Sequence, residues 1–243
     1  MFWSKRISIC SLPILLLINV LTFESVTWAG DYVPTASQVK AQKIMGQNYL
    51  GPDAVMHALN VRYTPEELKK LETVPFTDAV LQGFSVTHVL VAGYSCTIKT
   101  LQKACNSDSF KIEFMDLSLN GSNWYDYEKF VHDSVKVEWM LVPIKVSTAT
   151  AEKHYTAQSL TDDCTVCAPR ATELVFASVV ATLAGEVTLF DKQVVSCREK
   201  DSQGYDIFVG SNLKHMAGHT SKILVGSVWE DRQYRARRTI IYK

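Results

Sequence analysis

Apolar and polar residues alternate along two stretches in the middle of the chain. In residues 110–114 the apolar positions are separated by Lys111 and Glu113, and residues 135–141 repeat this alternation. A period of two places successive side chains on opposite faces of a strand. Both stretches therefore predict half-buried β-strands.

Further strands are predicted where short apolar runs adjoin turn residues. They are residues 88–92, 193–197, 205–209, 223–228 and 239–242. The sequence Asp-Ser-Gln-Gly at 201–204 separates the second of these runs from the third. Such a sequence is typical of a turn, so we expect a β-hairpin there.

Thr64, Pro65 and Glu67 mark the start of a helix. A threonine three residues before a glutamate forms a capping box, and proline is favoured at the first helical position. We therefore expect a helix from Pro65. Helices are also predicted over residues 37–46, from Pro52 onward, from Thr97 to about Cys105, and over residues 124–132.

The strongest helix signal begins at Pro169, which is predicted to take the first helical position. The helix is expected over residues 170–184, with Gly185 ending it. From Leu174 to Ala184 the residues are apolar almost all round, which indicates a central buried helix. A mostly antiparallel sheet packed on this helix, with short N-terminal helices, gives an α+β fold.

The first thirty residues have the pattern of an export signal. Lys5 and Arg6 precede an apolar run over residues 7–23, and small residues follow at Thr27 and Ala29. We expect a signal peptide over residues 1–29 and a single domain over 30–243, in a periplasmic or extracellular location. The alternative is an uncleaved anchor, but the run is shorter than the ~20 apolar residues that a membrane span needs.

Charge and composition exclude several classes of protein. The 243 residues carry 25 basic and 25 acidic side chains, and 47% are apolar. A disordered chain or a collagen would have a different composition. Zero formal net charge provides no attraction to nucleic acid, so we expect no nucleic-acid partner, and no membrane span after residue 29.

Residues 93–97 have the sequence context of a hydrolase nucleophile. The segment Gly-Tyr-Ser-Cys-Thr lies between a predicted buried strand and a predicted helix, which would expose Ser95 or Cys96 at the bend. His215 or His219 follows later in the chain, as the usual order of a catalytic triad requires. Thr97, however, stands where the second glycine of the nucleophile motif belongs.

His215 and His219 are also spaced like the two zinc ligands on one helical face. The glutamate that should follow the first histidine is missing, and Gly218 favours a loop. We therefore predict no metal site and no cofactor.

Cys164 and Cys167 precede the long helix as a C-x-x-C pair. Residues three apart in a turn lie within ~5–6 Å at Cα, which suits a disulfide. We predict a local structural disulfide between them. The alternative is a thiol–disulfide oxidoreductase, in which the helix N-terminus would stabilise a thiolate.

Several short motifs follow one another in order along the chain. They are Leu50-Gly51-Pro52, Thr64-Pro65-Glu66-Glu67, Trp139-Met140-Leu141-Val142, residues 153–158, Gly185-Glu186 and residues 201–210. In this order the chain resembles an uncharacterised family of bacterial hypothetical proteins. Its relatives tend to carry an acidic residue where Ala157 stands and an arginine where Val187 stands. The resemblance implies one domain and implies no activity.

Three functions are compatible with these patterns. The first is an exported binding or structural module without catalytic activity, because neither the Ser95 turn nor the two histidines complete their motif. The second is a hydrolase with Ser95 or Cys96 as nucleophile. The third is an oxidoreductase that uses Cys164 and Cys167.

Overall fold

The computed structural model describes residues 32–105, 112–116, 124–146, 166–211, 221–227 and 237–243. All of these residues belong to one unit that spans residues 31–243. The predicted signal peptide lies outside the described residues. None of the helices in the described part of the chain has the length and apolar character needed to cross a bilayer.

Short capped helices form the N-terminal part of the domain. They are α1 (Ala36–Met45), α2 (Pro52–Leu59), α3 (Pro65–Lys70) and α4 (Asp78–Phe84). The predicted capping box is confirmed: Glu67 N donates to Thr64 Oγ1 at 3.2 Å, and Thr64 N donates to Glu67 Oε2 at 2.9 Å. Helix α4 was not predicted; it begins after Thr77, whose hydroxyl accepts from Val80 N.

The first sheet is built mainly from the central part of the chain. Its strands are β1 (Tyr49–Leu50), β2 (His88–Ala92), β4 (Trp139–Pro143), β5 (Val166–Cys167) and β10 (Ile241–Tyr242). They lie in the order β1-β2-β4-β10-β5, with β1 and β2 parallel and the other neighbours antiparallel. The predicted strand at 88–92 is confirmed.

Strand β4 differs from the half-buried strand predicted over residues 135–141. It begins only at Trp139, and all five of its residues are buried. The side chains on both of its faces are therefore buried. On one face, the ring centroid of Trp139 lies 5.7 Å from that of Tyr49, and Trp139 Nε1 donates to Leu71 O at 3.0 Å. The face of β4 that was expected to be exposed to solvent is therefore covered by other parts of the domain.

The second sheet contains the predicted hairpin. Its strands are β3 (Ile112–Asp116), β6 (Val194–Lys200), β7 (Asp206–Ser211), β8 (Ser221–Ser227) and β9 (Arg237–Arg238), in the order β3-β8-β7-β6-β9. Strands β6 and β7 are antiparallel, with Val195 opposite Val209. Asp201 Oδ1 fixes the turn by accepting from Gln203 N and Tyr205 N.

Helix α6 (Ala171–Gly185) is the central buried helix that the sequence predicts. Its residues 171–181 are all buried, and it packs against α2, against α5 (Ile98–Cys105) and against β6, β7 and β8. Its start differs slightly from the prediction. Arg170 is the N-cap, and Pro169 lies before the helix, where its carbonyl accepts from Arg198 N at 3.0 Å.

Residues 124–132 are not the continuous helix that was predicted. Two 3-10 turns, Trp124–Tyr127 and Lys129–His132, are separated by Glu128, whose backbone is extended. The Glu128 carboxylate accepts from Ser202 N at 2.9 Å and from Ser202 Oγ at 2.7 Å. This contact with the hairpin turn holds Glu128 out of helical geometry. The fold as a whole is the predicted α+β domain.

Candidate functional site

Ser95 and Cys96 lie at the turn between β2 and α5, as the sequence predicts. Ser95 is exposed, Cys96 is buried, and Thr97 caps the helix by accepting from Thr100 N at 3.2 Å. A Cβ atom on Gly93 would lie 2.2 Å from Lys136 O. The glycine is therefore needed for close backbone packing, whether or not the turn takes part in a reaction.

The environment of Cys96 does not activate its thiol. Burial raises the pKa of Cys96 to about 12, whereas a nucleophilic cysteine needs a lowered pKa. Among the described residues no base contacts Ser95, and His88 lies at the other end of β2, roughly 15 Å or more away. His215 and His219 lie outside the described residues, so the hydrolase remains a prediction.

The cysteines in the described part of the chain are buried in the core. Cys96, Cys105 and Cys197 are free thiols, and Cys167 is buried on β5. Cys164 lies outside the described residues, so the disulfide with Cys167 and the oxidoreductase both remain predictions. Within the described part of the chain, no group of three or more His, Cys, Asp or Glu side chains is placed to hold a metal ion.

A cleft of about 580 Å³ opens at one end of the central strands of the first sheet. It lies where the end of α4, the start of β2, the end of β4 and strand β10 meet. Its lining residues are Gly83, Phe84, Val86, Thr87, His88, Pro143, Ile144, Lys145, Val146, Thr239, Ile240 and Tyr242. This volume lies within the usual ~300–1,000 Å³ range of small-molecule sites.

Three rings form an aromatic cluster in the wall of the cleft. The ring centroids of Phe84 and His88 are 4.3 Å apart, those of Phe84 and Tyr242 are 4.9 Å apart, and those of His88 and Tyr242 are 6.0 Å apart. The rings are tilted against one another by 38–60°. The three rings are therefore inclined to one another and do not form a parallel stack.

His88 and Lys145 give the cleft its electrostatic character. Burial lowers the pKa of His88 to about 4, so its ring is neutral at physiological pH. Thr87 Oγ1 lies 2.8 Å from His88 Nδ1. Lys145 is exposed, and among the lining residues that the structure describes it is the one with a formal charge.

Sequence reasoning did not find this site. His88 was recognised only as the first residue of a strand, Phe84 belongs to a helix that was not predicted, and Tyr242 lies more than a hundred residues away in sequence. The available signal was local: a histidine begins an otherwise wholly apolar strand. The partners of that histidine depend on the order of the strands.

A second polar cluster surrounds the start of α6. Glu173 is 1% exposed, and its Oε1 lies 2.6 Å from Lys243 Nζ and 2.9 Å from Arg170 Nε. Burial by itself would raise the pKa of Glu173, but the charges of Lys243 and Arg170 outweigh it and lower the pKa. The cluster ties the N-terminus of α6 to the last residue of the chain.

Glu199 lies beside the same helix start. Its Oε2 accepts from Ala171 N at 3.1 Å, and its Oε1 is buried without a hydrogen-bond partner among the described residues. Burial raises the pKa of Glu199 to about 7, although the hydrogen bond from Ala171 acts in the opposite direction. This carboxyl group therefore binds a proton more tightly in the folded state than in the unfolded state.

We expect Glu199 to make the folded domain less stable as the pH rises. The contribution of Glu199 to the free energy of unfolding is largest below the ordinary pKa of 4.5. It declines as the pH rises to about 7 and is constant at higher pH. The decline attributable to Glu199 is at most about 3 kcal/mol. Between about pH 5 and pH 8, the free energy of unfolding measured with urea should change less with pH in Glu199→Gln than in the wild type. The exposed control Glu186→Gln should show the same pH dependence as the wild type. An unchanged slope in Glu199→Gln would contradict the raised pKa.

No protein-family model, curated protein or solved structure matches the chain. The resemblance to a family of bacterial hypothetical proteins therefore remains a prediction. The cleft and its side chains are the basis for a functional proposal.

Proposed function

We propose that this protein is an exported binding module that takes a small, largely apolar ligand into the cleft at the end of the central strands of the first sheet. The observation that carries this proposal is a cleft of about 580 Å³ with an aromatic cluster in its wall. Binding sites typically combine an apolar lining with a few polar groups that orient the ligand. Export rests on the N-terminal sequence pattern.

Binding fits the chemistry of the cleft better than catalysis does. A general base works best with a pKa near the operating pH, and the pKa of His88 is about 4. Neither Ser, Cys, Asp nor Glu occurs among the described residues that line the cleft. The described lining therefore places no carboxylate beside His88 to orient its ring, and the hydroxyl that contacts the ring belongs to Thr87.

Gly83 offers a way to close the cleft without disturbing the core. It lines the cleft in helix α4, and a Cβ atom added there would have no heavy atom within 4 Å. The same position tolerates a small side chain, since alanine is favoured over glycine in a helix by ~1 kcal/mol.

We expect Gly83→Trp to abolish small-molecule binding, because the indole would occupy part of the cleft. The measurement is ligand-observed NMR of the wild type against small aromatic and aliphatic compounds. The matched control is Gly83→Ala, which should bind like the wild type and melt at the same or a slightly higher temperature. If the wild type binds no compound, or if Gly83→Trp binds as the wild type does, the cleft is not the site.

A further inference from the structure

We propose that the ligand is a planar aromatic carboxylate, whose ring system packs on Phe84, His88 and Tyr242 and whose carboxylate is bound by Lys145 and His88. This inference rests on the proposed function and specifies the chemistry of the same cleft. Three observations carry it: the geometry of the rings, the charge of the lining, and the hydrogen bond of His88.

The first observation is the arrangement of the three rings. Phe84 contacts both His88 and Tyr242, with centroid distances of 4.3 Å and 4.9 Å. Aromatic rings prefer offset or edge-to-face contacts with centroids ~4.5–7 Å apart. A flat aromatic ligand can make offset or edge-to-face contacts with several rings that are tilted against one another. A bulky branched ligand can contact one ring only. The wall therefore favours a planar aromatic body.

The second observation is the charge of the lining. Among the described lining residues, Lys145 is the one with a formal charge, and neither Asp nor Glu occurs. Within the described part of the chain, no carboxylate lies within ion-pair distance of Lys145 Nζ. An anionic group on the ligand would supply the missing partner, and a charge-assisted hydrogen bond is roughly twice as strong as a neutral one.

The third observation is the position of the proton on His88. Thr87 Oγ1 lies 2.8 Å from Nδ1, whereas its other acceptor, Phe84 O, is 3.5 Å away and already accepts from Thr87 N at 3.0 Å. The shorter distance favours donation from the hydroxyl to Nδ1, which assigns the proton of the neutral ring to Nε2. Nε2 has no hydrogen-bond partner among the described residues. It is a donor available to a carboxylate oxygen.

Three compounds with the same ring system test the charge preference: 2-naphthoate, 2-naphthamide and 2-naphthylmethylamine. Calorimetry on the wild-type protein should find 2-naphthoate bound about tenfold more tightly than the neutral amide, which corresponds to ~1.4 kcal/mol. The cationic amine should bind more weakly than either. Decanoate, which has a carboxylate but no ring, should bind more weakly than 2-naphthoate.

Two variants test the assigned polar groups. Lys145→Met removes the charge at an exposed position, and it should lower the affinity for 2-naphthoate about tenfold while leaving that for 2-naphthamide unchanged. His88→Phe keeps a ring against Phe84 and removes the Nε2 donor, so it should also weaken 2-naphthoate selectively. Lys69→Met, in helix α3 and exposed, is the control that should change neither affinity.

The outcomes separate this inference from the proposed function. If the amide or the amine binds as tightly as 2-naphthoate, or if decanoate binds more tightly, the ligand class is wrong although the cleft is a binding site. If Lys145→Met leaves the affinity for 2-naphthoate unchanged, the assigned charge contact is wrong. If none of the compounds binds, both the ligand class and the proposed binding function are contradicted.

Discussion

Val179→Asp is expected to unfold the domain. Val179 is fully buried in helix α6, between the N-terminal helices and the second sheet. The substitution would place an unpaired carboxylate in this apolar environment, at a cost of several kcal/mol. Since domains of this kind are stable by only ~5–15 kcal/mol, we expect loss of cooperative thermal unfolding in circular dichroism.

The control for this experiment lies on the same helix. Ala184 is exposed, so Ala184→Asp introduces the same side chain without burying it. It should leave the melting transition within a few degrees of the wild type. If Val179→Asp melted like Ala184→Asp, the conclusion that α6 is the centre of the core would be wrong.

Glu173→Gln should produce the second large loss of stability. The buried carboxylate lies 2.6 Å from Lys243 Nζ and 2.9 Å from Arg170 Nε. Removing the negative charge of Glu173 leaves the positive charges of Arg170 and Lys243 close together without the carboxylate between them. Breaking a buried ion pair in this way costs about 3–5 kcal/mol. Urea denaturation at neutral pH measures this loss as a shift of the midpoint.

Glu138→Gln is the matched control, because Glu138 contacts the same lysine. Its Oε1 lies 3.0 Å from Lys243 Nζ, but its side chain is 33% exposed compared with 1% for Glu173. We expect a loss below about 1 kcal/mol, as for other solvent-accessible ion pairs. Equal losses in the two variants would show that burial does not determine the strength of these contacts.

The pH dependence of the Glu173 contribution has a definite sign. The pKa of Glu173 is lower than that of an ordinary glutamate because Lys243 and Arg170 outweigh the effect of burial. Its contribution to stability is therefore present above the ordinary glutamate pKa and is lost as the pH falls through the folded-state value. This is opposite to the effect of Glu199.

Local signals in the sequence determined the parts of the fold that were predicted correctly. The helix at Pro65 was predicted because a cap needs only the residues Thr64 to Glu67, which are adjacent in the chain. The hairpin was predicted because its turn lies between its two strands. Helix α6 was identified because residues 174–184 are apolar on all faces, which is typical of a buried helix.

Contacts between distant segments determined what was missed. Residues 124–132 have the pattern of a helix, but Glu128 is extended because it binds Ser202, 74 positions away. Residues 135–141 alternate, but both faces of β4 are covered by other elements. Neither partner can be derived from the local pattern.

At the candidate site, too, local features were predicted and contacts between distant segments were missed. The turn at Ser95 was placed correctly between a strand and a helix, because that context is local. The cleft joins residues from α4, β2, β4 and β10, whose proximity depends on the order β2-β4-β10 in the first sheet. A single sequence contains no signal for that order, so this site could be found only in the folded domain.

Amide chemical-shift perturbation tests the central claim most directly. Proton–nitrogen correlation spectra of the wild-type protein would be recorded during titration with 2-naphthoate, or with the tightest-binding compound from the screen. We predict that the shifts concentrate at residues 83–88, 144–146 and 239–242, and that Gly83→Trp removes them. Shifts concentrated instead at residues 93–97, or no shifts at all, would contradict the assignment of the cleft as the binding site.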